Sequence, residues 1–541
     1  MPLPFYDYLS LKEKQKLLIL RNNDIFPIFY SSKVAYFVSS SKKEMSSLEK
    51  YFEKFRSNIV GIDQEFETPY GTKRIVYGDW IASGRLYRPI EEKISNEIGP
   101  FVGNTHTETS ETGIRMTHAY HRSHQLIKEH VNAEPNDVII TAGFGMTAVI
   151  NKFQRILGLK YCGKVSGKSC IAERERPVVF VTHMEHHSNH TSWYETNADV
   201  VVVEPGEGLL VDTDNLRKVL EAYKDRQFKI GSFTACSNVT GVRTPYHEMA
   251  KIMHEYGGVC FIDFAASAPY DEINMHPEDP MEKLDAVMFS PHKFLGGPGS
   301  SGVIVFDASM YKNQVPDQPG GGTVDWTNRW GKYKYVDDIE AREDGGTPGF
   351  LQSIRTALCF ELKDQMGVDN IRKREEELLA RAFKGLDSIK GLNILADNVR
   401  DRLGVISFFV EGIHYNLLVR LLNDKYGIQT RGGCACAGTY GHFLLEVSLE
   451  QSEEITNKIN HGDLSEKPGW VRWSLHPTMT DAEVDLMIAA LNDITENFES
   501  LSKDYIYQNR TNVFYHKDEK SDSALMKKWF SLEEKEFSNI L

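Results

Sequence analysis

Long apolar runs are missing from this 541-residue chain: no stretch approaches the ~18 uncharged apolar residues of a membrane span, so no membrane partner is expected. The start, MPLPFYDYLSLKEKQKLLIL, lacks the basic opening, continuous apolar centre and small-residue cleavage site of a secretory signal, and a cytoplasmic location is the expectation. Cysteine is scarce. Seven of them, an odd number, do not make a disulfide framework, and a reducing compartment leaves thiols available for chemistry. Positive charge is in deficit: 62 Lys and Arg against 76 Asp and Glu give a formal net charge of −14, which argues against nucleic acid as a partner. No internal repeat or low-complexity tract is present, and 41% hydrophobic with 26% charged residues is an ordinary globular composition. The chain is too long for one compact core, so two packed domains with appendages are the starting expectation.

Residues 1–72 carry a helical pattern from Leu11 to Leu20 and a charged one from Lys42 to Phe55, without a catalytic signature, and read as an N-terminal extension. From Arg74 the texture changes. Short runs rich in Val, Ile and Phe recur at 138–141, 177–183, 198–205, 229–238, 258–265, 285–290 and 301–307. Helix-length stretches such as Thr213 to Asp225 and Pro245 to Tyr256 separate them. This is an α/β pattern: a mostly parallel sheet with helices on both faces, whose ligands sit at the carboxyl ends of the strands. A Gly-rich stretch from Gln314 to Phe350 is long enough to predict a functional loop. Leu351 to Ala396 reads as largely helical, with the charged run IRKREEELLARAF as a solvated face. The segments GVISFFV, GIQT and GWVRWSLHP then alternate with two helical patterns. The expected division is a large domain over 73–365, a smaller α+β domain over 366–500 and an extension over 501–541. That tail is charged and aromatic, with no sheet signal.

Five local signals could carry chemistry. Ser290-Pro291-His292-Lys293 follows the apolar run DAVMF and precedes FLGGPGSSG, a setting that suits a Schiff-base lysine in a partly desolvated pocket, although a lone lysine is more often a solvated loop residue. Asp263 ends the run GVCFIDFA and places a carboxylate at the same sheet edge, where a cap or turn role is the plain alternative. In ITAGFGMTAVINKF a strand, a glycine turn and a helix would set the amides of Gly145, Met146 and Thr147 at a helix N-terminus able to bind phosphate. THMEHHSNH offers His183, His186, His187 and His190; the HExxH spacing is absent, and a histidine lying against a cofactor ring suits the segment better than zinc. In TRGGCACAGTYGH, a mobile loop beside Arg431 would expose a thiol of Cys434 or Cys436 and lower its pKa, against the alternatives of an inert pair or half a metal site. No metal is expected.

With these motifs in this order, the chain resembles class V aminotransferase-fold enzymes dependent on pyridoxal 5'-phosphate, and within them the cysteine desulfurases and selenocysteine lyases. The resemblance spans about Tyr77 to Phe498. It implies the fold type I architecture, with Lys293 binding the cofactor as a Schiff base, Asp263 on the pyridine nitrogen, Asn238 on the phenolic oxygen and His186 stacked on the ring. Phosphate contacts would come from Gly145, Met146, Thr147, Ser290 and His292 and, across a homodimer interface, from Thr347. Arg472 would clamp the substrate α-carboxylate, with Arg431 and Asn238 beside it. The family's nucleophilic cysteine lies five residues after an arginine, which selects Cys436 over Cys434. Ala266 stands where desulfurases carry a cofactor-contacting glutamine, and GGCAC replaces their histidine-bearing loop. The implied reaction removes sulfur from L-cysteine, or selenium from selenocysteine, through an enzyme persulfide, with alanine as product and a sulfur-acceptor protein as a further partner. The alternatives are another class V reaction (transamination, epimerisation or C–S lysis) and a catalytically silent dimeric scaffold.

Overall fold

The computed structural model describes residues 45–160, 171–519 and 523–532; the helical pattern at 11–20 lies outside the described residues. The described residues from Ser47 onward belong to one compact unit. All seven apolar runs become strands of a single sheet: β1 (Asp137–Ala142), β2 (Val178–Thr182), β3 (Asp199–Val203), β4 (Lys229–Thr234), β5 (Val259–Asp263), β6 (Ala286–Phe289) and β7 (Gly302–Asp307). Their order across the sheet is β1-β7-β6-β5-β4-β2-β3. The neighbours from β3 to β6 are parallel, and β7 runs against both β6 and β1. It follows that β1 points the same way as the parallel set.

Every residue of β2, β4 and β6 is buried. Alternate side chains leave a strand on opposite faces, and here both faces are covered: Phe180, Phe233, Ile262 and Val287 enter one core cluster, Val179, Ile230, Phe261 and Met288 the other. Two buried faces are the reason these strands read as continuous apolar runs and not as alternating ones. The Thr213–Ala222 and Tyr246–Glu255 helices fall within the stretches expected from sequence.

A second, antiparallel sheet takes its strands in the order Leu392–Ile394, Val405–Val410, Trp470–Ser474, Arg431–Gly433. It packs with the helices Tyr415–Tyr426 and Asp481–Leu501. Its register sets Arg431 directly opposite Arg472. Beside it, Ile428–Gln429 pairs in parallel with Val76–Tyr77, which draws the segment after Tyr77 toward the edge of the large sheet.

Three stretches differ from the sequence expectation. The charged run is not a purely solvated face: in the helix Val368–Leu386, Arg374 and Glu375 are buried, and the Arg374 guanidinium donates to the Met479 carbonyl (3.0 Å) and to Asp481 (2.9 Å). Sheet structure is present in the tail, where Tyr505–Gln508 and Val513–His516 form an antiparallel hairpin; the buried Tyr505 donates its hydroxyl to Asp424 at 2.9 Å. The Gly-rich stretch holds a further hairpin, Val324–Thr327 with Tyr333–Tyr335, and a short helix, Ile339–Glu343. Among the described residues no helix is long and apolar enough to cross a membrane.

The charged pattern near the start is realised as the helix Ser47–Arg56, which joins the main core through Phe52 and Phe55. Arg56 grips Glu483 with two hydrogen bonds of 2.9 and 2.7 Å, while Glu483 also closes the capping box that begins the Asp481–Leu501 helix. Phe52→Ala is therefore expected to lower folding stability by about 3 kcal/mol or more, the usual cost of emptying a buried phenylalanine site. The denaturant midpoint measures it; a change within about 0.5 kcal/mol, typical of surface positions, would mean that this helix is a mere appendage.

Candidate active site

The parallel strands and β1 all end at one edge of the large sheet, and the loops that follow them supply the candidate residues. After β6 the chain turns through Ser290 into the single 3-10 turn Pro291–Lys293. The segment carrying Asp79 lies directly against that turn: Gly84 donates its amide to the His292 carbonyl at 2.9 Å, and a Cβ at Gly84 would fall 1.8 Å from the Phe294 carbonyl oxygen. Only glycine permits that approach. Burial pushes the Lys293 amine down to about 8, with Asp263 opposing the shift and Arg472 adding to it. Asp263 is buried at the end of β5, where one of its oxygens accepts from the Ala265 amide at 2.8 Å. Burial pushes its carboxyl up to about 6, against the pull of that amide and of Lys293.

His186 caps the helix His187–Tyr194 by accepting the Ser188 amide at Nδ1 (3.1 Å), an arrangement that assigns the ring proton to Nε2. Burial, with the nearby charges of Lys293, His187 and Arg472, pushes this imidazole down to about 3, so it stands neutral at ordinary pH. Next to it, Glu185 is fully buried and accepts from Thr182 Oγ1 (2.7 Å), the Thr234 amide (2.9 Å) and Asn189 (2.7 Å). The other histidines of the segment go to separate partners: His183 to the Leu209 carbonyl, His187 to the Gly438 amide and His190 to the Tyr194 hydroxyl.

At the end of β1, Gly145 precedes the helix Met146–Ile156. The Met146 amide donates to Ser290 Oγ at 2.9 Å, His292 Nδ1 to the Phe144 carbonyl at 2.9 Å, and the hydroxyls of Thr147 and Ser188 meet at 2.5 Å. A Cβ at Gly145 would lie 3.0 Å from Ser290 Oγ and 3.2 Å from the His292 ring. The five residues expected to contact a phosphate thus come together as one cup, lined by a helix N-terminus. Thr347 is exposed and lies outside this hydrogen-bonded cup.

On the opposite wall, Arg472 is buried in the strand Trp470–Ser474 and donates to the Asn238 carbonyl (3.1 Å) and to Asp79 (2.9 Å). Arg431 donates its Nε to the other Asp79 oxygen at 2.9 Å. The cysteines form a tight turn: the Ala437 amide donates to the Cys434 carbonyl at 3.1 Å, and the two central residues, Ala435 and Cys436, have φ of 50° and 57°. Left-handed backbone at two non-glycine residues costs on the order of 1–3 kcal/mol each, so the surroundings must hold it. They do so through Asn238, which donates to the Ala435 carbonyl at 2.7 Å, and through His187, whose amide donates to the Cys436 carbonyl at 2.8 Å. Cys436 is exposed and stands within electrostatic reach of Arg472, whereas Cys434 is half-buried and packs against a cluster containing Tyr440 and Trp470. Ala266 is buried beside the Asp263 turn.

Sequence reasoning missed Asp79, Glu185 and Ser188, and it offered His187 only as one of four histidines. Glu185 and Ser188 lie in the histidine motif already singled out, so the motif itself was their signal. Asp79 follows a two-residue strand, and nothing in its spacing marks it.

A doubly covered α/β sheet with a lysine, a carboxylate and a helix N-terminus at its carboxyl edge, closed by a smaller antiparallel sheet, is the fold type I architecture. The chain belongs to the aminotransferase class-V family, whose model matches residues 76–487. It is 25% identical over 430 residues to a probable cysteine desulfurase of Pyrococcus abyssi, covering 79% of this chain and 96% of the relative. A probable cysteine desulfurase of Staphylococcus epidermidis is 27% identical over 375 residues, 69% of this chain and 85% of the relative. The fold is similar to that of the cysteine desulfurase from Thermococcus onnurineus in its apo form, with a TM-score of 0.65 at 21% identity over 82% of this chain and 98% of that one.

The depressed Lys293 amine has a measurable consequence. With a pKa of about 8, roughly a tenth of it is neutral at pH 7, against fewer than about one in a thousand for an ordinary lysine near 10.4. Since only the neutral form of an amine is nucleophilic, reaction of Lys293 with an added small aldehyde, followed by peptide mapping, should rise about tenfold from pH 6 to 7 and level off above about 8.5. A rate still climbing toward pH 10 would mark an unperturbed amine.

Proposed function

We propose that the protein is a pyridoxal-phosphate enzyme of the cysteine desulfurase type, which removes sulfur from L-cysteine, or selenium from selenocysteine, and releases alanine. The observation that carries this reading is the placement of Cys436: an exposed thiol on a strained turn, tied down by Asn238 and His187 and within electrostatic reach of the buried Arg472. The relatives named probable cysteine desulfurase point the same way.

The residues present suit the cofactor. The cup around Gly145 is a cradle that even one Cβ would crowd, its amides and hydroxyls match a phosphate, and the buried Asn238 Oδ1 has no hydrogen-bond partner. Lys293 would hold the group, Asp263 would face its ring nitrogen, His186 would lie on its ring, Asn238 would meet its phenolic oxygen, and Gly145, Met146, Thr147, Ser290 and His292 would hold its phosphate. When bound, pyridoxal phosphate supplies the electron sink that makes the substrate α-proton removable.

The chain's own side chains account for the rest of the reaction. Arg472 anchors the α-carboxylate through its guanidinium, with Arg431 beside it. Lys293 Nζ, far more often neutral than an ordinary lysine because of its burial, takes the α-proton. The Cys436 thiolate bonds to the substrate sulfur as the Cβ–S bond breaks, leaving an enzyme persulfide; the electron pair of that bond stays with the carbon skeleton, which takes one proton at Cβ, regains one at Cα from Lys293 and leaves as alanine. His186, neutral as it stands, takes up a proton when an anionic group beside it raises its proton affinity, and can then return that proton to the substrate. On this reading residues 73–365 bind the cofactor, and 366–500 supply Arg431, Cys436 and Arg472. A homodimer completes the site, with the exposed Thr347 reaching the phosphate of a second copy. A cytoplasmic sulfur-acceptor protein takes the persulfide from the exposed Cys436.

Substitution of the two thiols tests the proposal. Cys436→Ser should retain the cofactor and cysteine binding yet lose at least about 99% of sulfide and alanine production, while Cys434→Ser should keep most of both. The opposite pattern would move the nucleophile to Cys434. Full activity in the double variant, or pyruvate or amino-group transfer in place of sulfide and alanine, would identify a different class V reaction, and a wild type inert in every assay would identify a scaffold.

A further inference from the structure

Asp79 occupies a position that the proposed reaction does not explain. The second sheet places Arg431 and Arg472 directly opposite each other on neighbouring antiparallel strands. Like charges in that relation repel. Asp79 comes from a segment remote in sequence, held there by a parallel bridge to Ser474, and puts one carboxylate oxygen on each guanidinium, 2.9 Å from Arg472 and 2.9 Å from Arg431. Asp79 and Arg472 are both buried, so that pairing is only weakly screened by solvent, while Arg431 reaches Asp79 with a side chain that is 53% exposed. Both arginines and Asp79 also act on Lys293, which places the whole group at the reaction centre.

Two guanidinium groups at an amino-acid site would by themselves favour a substrate with two negative charges, one on the α-carboxylate and one on the side chain. With Asp79 present the three groups sum to a single positive charge, matched to the α-carboxylate alone. We infer that Asp79 determines specificity: by consuming the charge of Arg431 it restricts the site to amino acids with an uncharged side chain, such as a thiol or selenol, and disfavours those whose side chain is a carboxylate or sulfonate. This inference rests on the proposal that the substrate is a free amino acid clamped by Arg472, and it adds the substrate class. The discrimination comes from an unfavourable charge built against the wrong ligand as much as from contacts to the right one.

The test is calorimetric titration of full-length, cofactor-loaded protein with L-alanine and with L-cysteate, which share the α-carboxylate and differ in side-chain charge. Asp79→Asn should shift the ratio of the two dissociation constants toward cysteate by about tenfold, and the double variant Asp79→Asn/Arg431→Gln should return it to the wild-type value. A merely structural Asp79 would weaken both ligands alike and leave the ratio unchanged, which overturns the inference. Should Asp79→Asn fail to fold, the double variant alone decides: a ratio within about twofold of wild type supports a charge already consumed, and a tenfold loss of cysteate binding refutes it. Sulfide release by the wild type is measured in parallel. Its absence would refute the desulfurase reading while leaving the charge rule intact.

Discussion

A parallel sheet covered on both faces must carry its chain back to the starting edge between successive strands, and that obligation organises this molecule. Because β2, β4, β5 and β6 run the same way, and β1 with them, every loop that leaves their carboxyl ends arrives at one edge. The Gly145 turn, the histidine segment, Asn238 and Lys293 each come within the first few residues after a different strand, and Asp263 ends a fifth. Their convergence needs no long excursion of the chain. The second sheet then supplies the facing wall, and a two-residue strand at Val76–Tyr77 sews the Asp79 segment between the two.

Desolvation dominates the electrostatics at that edge. It lowers Lys293 and His186 and raises Asp263, in each case toward the uncharged form, and the nearest charges only modify the result. These groups titrate away from their ordinary ranges because water is excluded, and the same exclusion strengthens the pairing of Asp79 with the buried Arg472. A lysine near neutrality, a neutral imidazole and a tight Asp79–Arg472 pair are thus three outcomes of one burial.

Strained backbone is also present at the candidate site. The cysteine turn holds two non-glycine residues in left-handed backbone, and it stays in place because Asn238 and His187, from loops of the large sheet, hold its carbonyls. The thiol-bearing loop and the cofactor-side residues are therefore mechanically one piece. A change at either anchor would loosen the turn before it touched the thiol itself.

The sequence by itself determined the seven strands, their enclosure by helices and the chemical character of each strand-end loop, because burial on both faces writes itself as local apolar runs and strand-to-loop changes are marked by Gly, Ser and Asp. The lysine turn, the Asp263 strand end, the histidine motif and the cysteine loop were legible for the same reason. Tertiary structure alone decided which charges are buried and with whom. Arg374 and Glu375 look like solvated residues in a charged run, yet they end in the core; the hairpin after Leu501 has strands of only four residues, too short to stand out among charges. Asp79 meets Arg431 across 352 residues and Arg472 across 393, and the two arginines are brought side by side by strand register. Periodicity is a property of neighbours in the chain and can be read there, whereas pairing between buried charges is a property of neighbours in space and comes into existence only once the sheets have formed.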